Sequence, residues 1–266
     1  MITGASAGIG KATALDLLAR GFVVYGLARR VAKMQALVEA GGHALELDVT
    51  KPDAAERCVQ RIVAEQGRID VLVNNAGFGL YGPVEEVPLD QARYQYDVNL
   101  FGVARLTQLV LPYMRRARRG RIINISSMGG VITLPLGAWY HSTKFALEGW
   151  SDCLRQEVRA FGIDVVVVRP GIIATEFEAV ATERYATGED SAYGPLSARV
   201  REATRTAYAS RRATDARVVA RTIARAAQST RPRTRYHVGH LATTLVRVRQ
   251  LLPDRWWDAA VLRQGK

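Results

Sequence analysis

The sequence predicts an α/β fold in which helices cover both faces of a doubly wound parallel sheet. Three observations carry this. Short runs rich in β-branched residues alternate with longer stretches of helical period. The runs are almost continuously apolar, as in "IDVVVV" at 163–168, which suits strands covered on both faces. A glycine-rich turn, "TGASAGIG" at 3–10, opens the first helical stretch.

The elements follow in order. Only Met1 and Ile2 precede the glycine turn, against about five or six residues in an ordinary strand. The first strand is therefore expected to be largely missing at the N-terminus. Either part of a natural strand lies upstream of Met1 or the chain is truncated. A helix is predicted over 8–20, then a strand over Phe22–Leu27, a strand over Ala44–Leu47 and a helix over 53–66. The strand Ile69–Val73, the helix 90–118, the strand Arg121–Ile125, the helix 138–161 and the strand Ile163–Val168 continue the rhythm. It fails between Thr175 and Ser210, where Gly188, Gly194 and Pro195 interrupt helical fragments, and 176–214 reads as a lid over a substrate. A helix over 215–229 and a strand over Arg235–Val238 close the sheet. Leu241, Leu245, Val248 and Leu252 then recur at helical spacing before Pro253, Trp256 and Trp257, making 240–266 a C-terminal helical extension. Residues 1–266 form one domain in this reading.

Composition narrows the function. The 266 residues are 48% hydrophobic and 23% charged, close to the average of globular proteins. No apolar run reaches the ~18 residues of a spanning helix, and the first residues lack a signal peptide's charged and apolar regions. Cys58 and Cys153 make no disulfide framework, so a cytoplasmic setting is expected. The net charge is +12, with 32 Arg among 37 basic residues. These are not interleaved with aromatics as a single-strand nucleic-acid binder requires. "RRARRGR" at 115–121 suits a helix C-terminus, where cations oppose the dipole. His237 and His240 have no acidic or cysteine companions nearby, so no metal is expected. The tail could lie on a membrane surface, its leucines down and Arg247 and Arg249 at the lipid headgroups. Packing on its own domain or on a second subunit is favoured over that.

The glycine turn points to an anionic cofactor. Gly4, Gly8 and Gly10 let the backbone approach a pyrophosphate, with Ser6 and Ile9 between them, while the free N–H groups of the helix start face the anion. Arg29 follows the second strand, 19 residues after Gly10. An acid there would bind a ribose 2′-hydroxyl, and an Arg accommodates a 2′-phosphate, so Arg29 and Arg30 favour NADP over NAD. A solvated Arg pair is the plainer reading, but a helix N-terminus disfavours cations. Asp48 and Val49, and Asn75, Ala76 and Gly77, end the third and fourth strands, where ligands of open sheets collect. The fold is thus Rossmann-like.

The chemistry sits further on. "INISS" ends at Ser126 and Ser127, and "WYHSTK" begins twelve residues later. Tyr140 and Lys144 are i and i+4 on one helix face. A lysine beside a tyrosine favours phenolate and lowers a pKa that starts near ~10. Such a tyrosine trades a proton with a carbonyl or alcohol oxygen, and a serine hydroxyl holds the same oxygen. Ser126 and Ser127 point to opposite faces of the strand, so only one reaches Tyr140.

At these residues the sequence resembles the short-chain dehydrogenase/reductase family. The likeness runs through Thr3-Gly4-x3-Gly8-x-Gly10, Asn74-Asn75-Ala76-Gly77, Asn99 in "DVNLFG", Ser127, Tyr140-x3-Lys144, and Pro170-Gly171 with Thr175. It implies Tyr140 as general acid/base, Ser127 rather than Ser126 as the residue positioning the substrate oxygen, and Lys144 as tuner of Tyr140 and ligand of the nicotinamide ribose. It implies Asn99 holding a relay water, Asn75 near the adenosine ribose, Asp48 and Val49 at the adenine, and Ile173 and Thr175 at the carboxamide. The tail and "GLARR" resemble the retinol and 17β-hydroxysteroid dehydrogenase branch and its bacterial relatives. NADP(H), a lipophilic carbonyl or alcohol substrate, and a homodimer or homotetramer follow as expectations. Phe78, Leu80, Tyr81, Met128, Leu134, Leu136, Phe177 and Tyr193 are the expected substrate wall. Two other functions compete: a non-catalytic NADP-binding regulator on the same fold, and a membrane-surface protein acting through its tail. The complete set Asn99, Ser127, Tyr140 and Lys144 favours the enzyme, because a regulator could lose it.

Overall fold

The computed structural model describes residues 1–177, 190–209 and 213–263. Seven strands form one parallel sheet: β1 (Ile2–Thr3), β2 (Tyr25–Ala28), β3 (His43–Glu46), β4 (Val71–Asn74), β5 (Gly120–Ile125), β6 (Ile163–Pro170) and β9 (Arg235–Val238). Their order is β3-β2-β1-β4-β5-β6-β9, so the strand order reverses beside β1. Two further short strands, β7 (Ile173–Ala174) and β8 (Thr214–Asp215), pair with each other outside it.

The first strand is short rather than missing. Ile2 pairs with Gly26 on one side and Val73 on the other, and Thr3 pairs with Leu27. Val73 N–H donates to the Met1 carbonyl at 2.9 Å, and the Met1 amino group donates to the Val71 carbonyl at 3.1 Å. The strand's two neighbours, β2 and β4, are each four residues long. β2 starts not at the predicted Phe22 but at Tyr25, where pairing with His43 and then Ile2 becomes available.

Alternation along the strands feeds two apolar layers. Met1, Leu72, Ile122 and Val165 face α3 (Pro52–Gln66) and α5 (Gly102–Ala117) through Val59, Leu106 and Val110. Ile2, Val73, Ile123 and Val166 face α1 (Gly8–Ala19) and α8 (Ala216–Gln228) through Ala14, Val219 and Ile223.

The predicted helix 90–118 is interrupted. It comprises α4 (Leu89–Tyr96), a π-helical turn over Asp97–Phe101, and α5. The predicted helix 138–161 is α6 (Ala138–Val158) followed by a tight turn over Arg159–Phe161. A short α2 (Gln35–Glu39) lies between β2 and β3. Of the predicted lid, α7 (Gly194–Ala209) is described, and 178–189 and 210–212 lie outside the described residues.

The tail folds as α9 (Ala242–Leu251) and α10 (Asp254–Arg263). Its buried face is not the predicted one. Ala242 and Val246 are buried, whereas Val248 is 38% exposed. Leu241 has φ +63° at the helix start, and the inward stripe runs through Ala242 and Val246. Trp257 is buried and its indole N–H donates to the Thr133 carbonyl at 3.3 Å, while Trp256 is 71% exposed. Among the described residues, no helix is long and apolar enough to cross a membrane.

Candidate active site

The turn after β1 is built on glycine. Gly4 and Gly8 have φ +67° and +50°, a region L side chains rarely adopt. Thr3 and Asn75 lock the turn to the end of β4. The N–H groups of Asn75 and Ala76 donate to Thr3 Oγ1 at 3.0 and 2.9 Å, and the Asn75 side-chain amide donates to the Thr3 carbonyl at 2.9 Å. Gly10 is inside this knot. A Cβ there would stand 2.3 Å from the Gly4 carbonyl oxygen, so Gly10 permits helix-to-turn packing rather than lining the cleft. No side chain caps α1.

A cleft of about 400 Å³ runs along the carboxyl ends of the strands. Its wall includes Gly4, Ser6, Gly8, Ile9, Arg29, Arg30, Asp48, Val49, Asn75, Ala76, Gly77, Ser127, Tyr140, Lys144, Pro170, Gly171, Ile173 and Thr175. Gly10 and Asn99 are the predicted site residues not on it. At the β2 end, an Arg29 guanidinium N–H donates to the Tyr94 hydroxyl at 3.0 Å, and one from Arg30 donates to Glu176 at 2.9 Å. Burial works to raise the Asp48 carboxyl, but hydrogen bonds from the Thr50 N–H and hydroxyl, with Arg29 nearby, hold it below the usual carboxylate range.

At the other end Ser127 and Tyr140 meet. Both line the same cleft, Ser127 works to lower the pKa of the Tyr140 phenol, and Ser127 Oγ accepts from the Gly129 N–H at 3.0 Å. Ser126 points away, its Oγ buried near Gly130 and Glu148. Tyr140 is enclosed by aromatic rings, with centroids of Tyr81, His141 and Phe177 at 5.6, 5.6 and 5.5 Å. The expected depression of its pKa does not hold here. Burial pushes the phenol up to about 12, and the Ser127 hydrogen bond only partly opposes this. Lys144 donates to the Ile125 carbonyl at 2.9 Å, and burial lowers its pKa to about 8 despite the charge of Glu148.

Asn99 is buried on the π-helical turn. Its side-chain amide donates to the Phe78 carbonyl at 2.9 Å and the Thr143 hydroxyl at 3.1 Å, and its oxygen accepts the Phe78 N–H at 3.1 Å. It thus ties the loop after β4 to α6 beside Lys144. The extra residue of a π-turn aims Asn99 inward, and such turns recur at functional sites.

A family profile described as short chain dehydrogenase matches residues 1–186. The chain belongs to the short-chain dehydrogenase family. A 3-ketodihydrosphingosine reductase of Bacteroides thetaiotaomicron is 43% identical over 197 residues, 73% of this chain and 70% of the relative. An NADPH-dependent 3-dehydrocapnine reductase of Ornithobacterium rhinotracheale is 36% identical over 213 residues, 76% and 75% of the two chains. The closed form of a serine dehydrogenase complexed with NADP+ superposes with a TM-score of 0.79 at 26% identity, covering 90% of this chain and 94% of that one. This short-chain dehydrogenase is therefore an oxidoreductase.

Its site holds residues the sequence reading passed over. His141 is buried beside Tyr140, with Nδ1 against the Gly129 carbonyl at 2.9 Å and Nε2 accepting the Leu134 N–H at 3.3 Å. It pins both sides of the loop after Ser127. Its position next to Tyr140 was the only signal, since helix spacing puts neighbouring residues on different faces. Glu176 had no signal at all. Of the expected substrate wall, Phe78 and Phe177 line the cleft and Tyr81 packs on Tyr140. Leu80 and Leu136 are buried in the fold, and the Tyr193 hydroxyl donates to Glu85 at 2.7 Å away from the cleft.

Proposed function

We propose that this enzyme reduces a lipophilic ketone to a secondary alcohol with NADPH, with Tyr140 as the acid. The juxtaposition of Ser127 and Tyr140 hydroxyls in one cleft with the glycine turn carries the reading. The cleft fits a phosphorylated dinucleotide on its own features: the uncapped start of α1, two glycines that leave the backbone bare, and two arginines at the β2 end. NADPH bound there would supply a hydride from its nicotinamide.

The chain's residues do the rest. Gly4, Ser6, Gly8 and Ile9 face the pyrophosphate, with Gly10 giving the turn room and Asn75 holding its shape. Arg29 and Arg30 take the 2′-phosphate, and Asp48, Val49, Ala76 and Gly77 enclose the adenosine half. Pro170, Gly171, Ile173 and Thr175 orient the nicotinamide end. Ser127 orients the substrate oxygen, and Tyr140, protonated at neutral pH, gives it a proton. Lys144 reaches from the Ile125 carbonyl toward the nicotinamide ribose. Asn99 holds the Phe78 backbone and keeps acceptor capacity at Oδ1 for a relay water. The aromatic wall of Phe78, Tyr81 and Phe177 supports an apolar substrate. Two relatives named for reducing 3-keto or 3-dehydro compounds support a ketone. One folded unit over 1–266, with the 176–214 segment covering the substrate, is the arrangement we favour.

The test is a carbonyl panel followed by reduced-nicotinamide absorbance. It should include 3-ketodihydrosphingosine, simple aliphatic ketones and polar sugars, each with NADPH and NADH. Turnover of lipophilic ketones with NADPH is expected. Failure with every carbonyl, or equal use of NADH, refutes the corresponding part of the reading.

A further inference from the structure

Three consecutive residues, Thr175, Glu176 and Phe177, touch three separate parts of the cleft. Thr175 lies against Gly8 of the glycine turn, where a Cβ on Gly8 would meet it at 3.2 Å. Glu176 accepts from Arg30 at 2.9 Å and from Lys33 at 3.3 Å. Phe177 packs on the Tyr140 ring. Arg30 and Glu176 both line the cleft. Hydrogen bonds from Arg30 and Lys33 hold the Glu176 carboxyl below the usual range, so it is an anion at neutral pH. The guanidinium facing the adenosine end of the cleft is thus already engaged by an internal carboxylate.

We infer that Glu176 is a determinant of cofactor choice, competing with the 2′-phosphate for Arg30 and so weakening the discrimination that the arginines alone would give. This rests on the NADP reading above. A dianionic 2′-phosphate makes stronger charge-assisted bonds to Arg30 than a carboxylate does, so it displaces Glu176. The displacement costs the Arg30–Glu176 and Lys33–Glu176 pairs and brings Glu176 near a like charge. A dinucleotide with a bare 2′-hydroxyl brings no second anion to Arg30 and bears little of this cost. Both pairs are about half exposed, which keeps the effect modest.

The experiment compares dissociation constants of 2′-phospho-AMP and AMP, and of NADPH and NADH, for the wild type and Glu176→Gln, by calorimetry. The AMP pair reads the adenosine end without the nicotinamide or a substrate. Glu176→Gln should tighten the 2′-phosphorylated ligand of each pair about three- to ten-fold and change the other less than two-fold. A wild type that prefers the phosphorylated ligands, with the preference unchanged or reduced in Glu176→Gln, overturns the inference and leaves the NADP reading standing. A wild type without preference that gains one in Glu176→Gln supports the inference and refutes the NADP reading for the native chain. No preference in either protein overturns both.

Discussion

Lys144 gives its ammonium to the carbonyl of Ile125, two residues before Ser127, while its Nζ stands 5.9 Å from the centroid of the Tyr140 ring. The lysine that the sequence assigns to tuning the tyrosine also ties its helix to the sheet. Its burial has a consequence for stability. The folded pKa is about 8 and the ordinary value 10.5, so between these the unfolded chain binds more protons. Lysine burial therefore penalises the folded state below about pH 8, and the penalty fades as pH rises to about 10.5. Lys144→Met should raise the melting temperature at pH 7 by about 2–4 °C, with the gain gone near pH 10.5, while turnover falls at least about 100-fold. A lower melting temperature at pH 7 would mean that the lost bond to Ile125 outweighs burial.

Tyr140→Phe keeps the ring among Tyr81, His141 and Phe177 and removes the proton. Turnover should fall about 100- to 10,000-fold, with NADPH affinity within a few-fold of wild type. Activity within a few-fold of wild type would falsify the acid role.

The two reaction directions should differ in pH dependence. With the Tyr140 pKa pushed up to about 12, the phenol is protonated throughout pH 6–9. Reduction kcat should be flat from pH 6 to about 7 and change above that only as Lys144, with its pKa of about 8, loses its charge. Oxidation of the matching alcohol needs phenolate, so its kcat should rise about tenfold per pH unit below the pKa. An oxidation profile that levels off near pH 7 contradicts this.

Glu148 and Arg169 form a two-pronged pair, both contacts 2.8 Å, with side chains 8% and 9% exposed. Arg235 joins Glu148 at 3.2 Å and Asp152 at 2.6 Å. This network fastens α6, and hence Tyr140 and Lys144, to β6 and β9. Glu148→Ala strands a buried guanidinium and should cost about 3–5 kcal/mol in denaturant unfolding. The double change Glu148→Leu with Arg169→Met should recover most of it. If the single change costs under about 1 kcal/mol, the pair does not hold the helix.

The tail offers a direct comparison of two adjacent leaves of one helix. Val246 is 2% exposed and Leu245 is half-buried. Val246→Asp should lower the melting temperature clearly more than Leu245→Asp, because it buries an unpaired charge. The opposite order would restore the stripe expected from Leu241, Leu245, Val248 and Leu252.

The sequence by itself determined the parallel sheet, its helices, and the residues that meet in the cleft. Those signals are local: period-two and period-3.6 patterns, glycines at a turn, and Tyr140 and Lys144 one helical turn apart. Tertiary structure alone decided what depends on burial or on distant pairing. The two-residue β1 pairs with both β2 and β4, a contact between segments far apart in the chain. Burial of Tyr140 beside Tyr81, His141 and Phe177 raises its pKa, and that burial is set by residues brought together from distant parts of the chain. Asn99 turns inward through a π-turn that fits the same apolar pattern as a plain α-helix. Arg30 meets Glu176 across 146 residues of chain, and no local pattern encodes a contact of that separation.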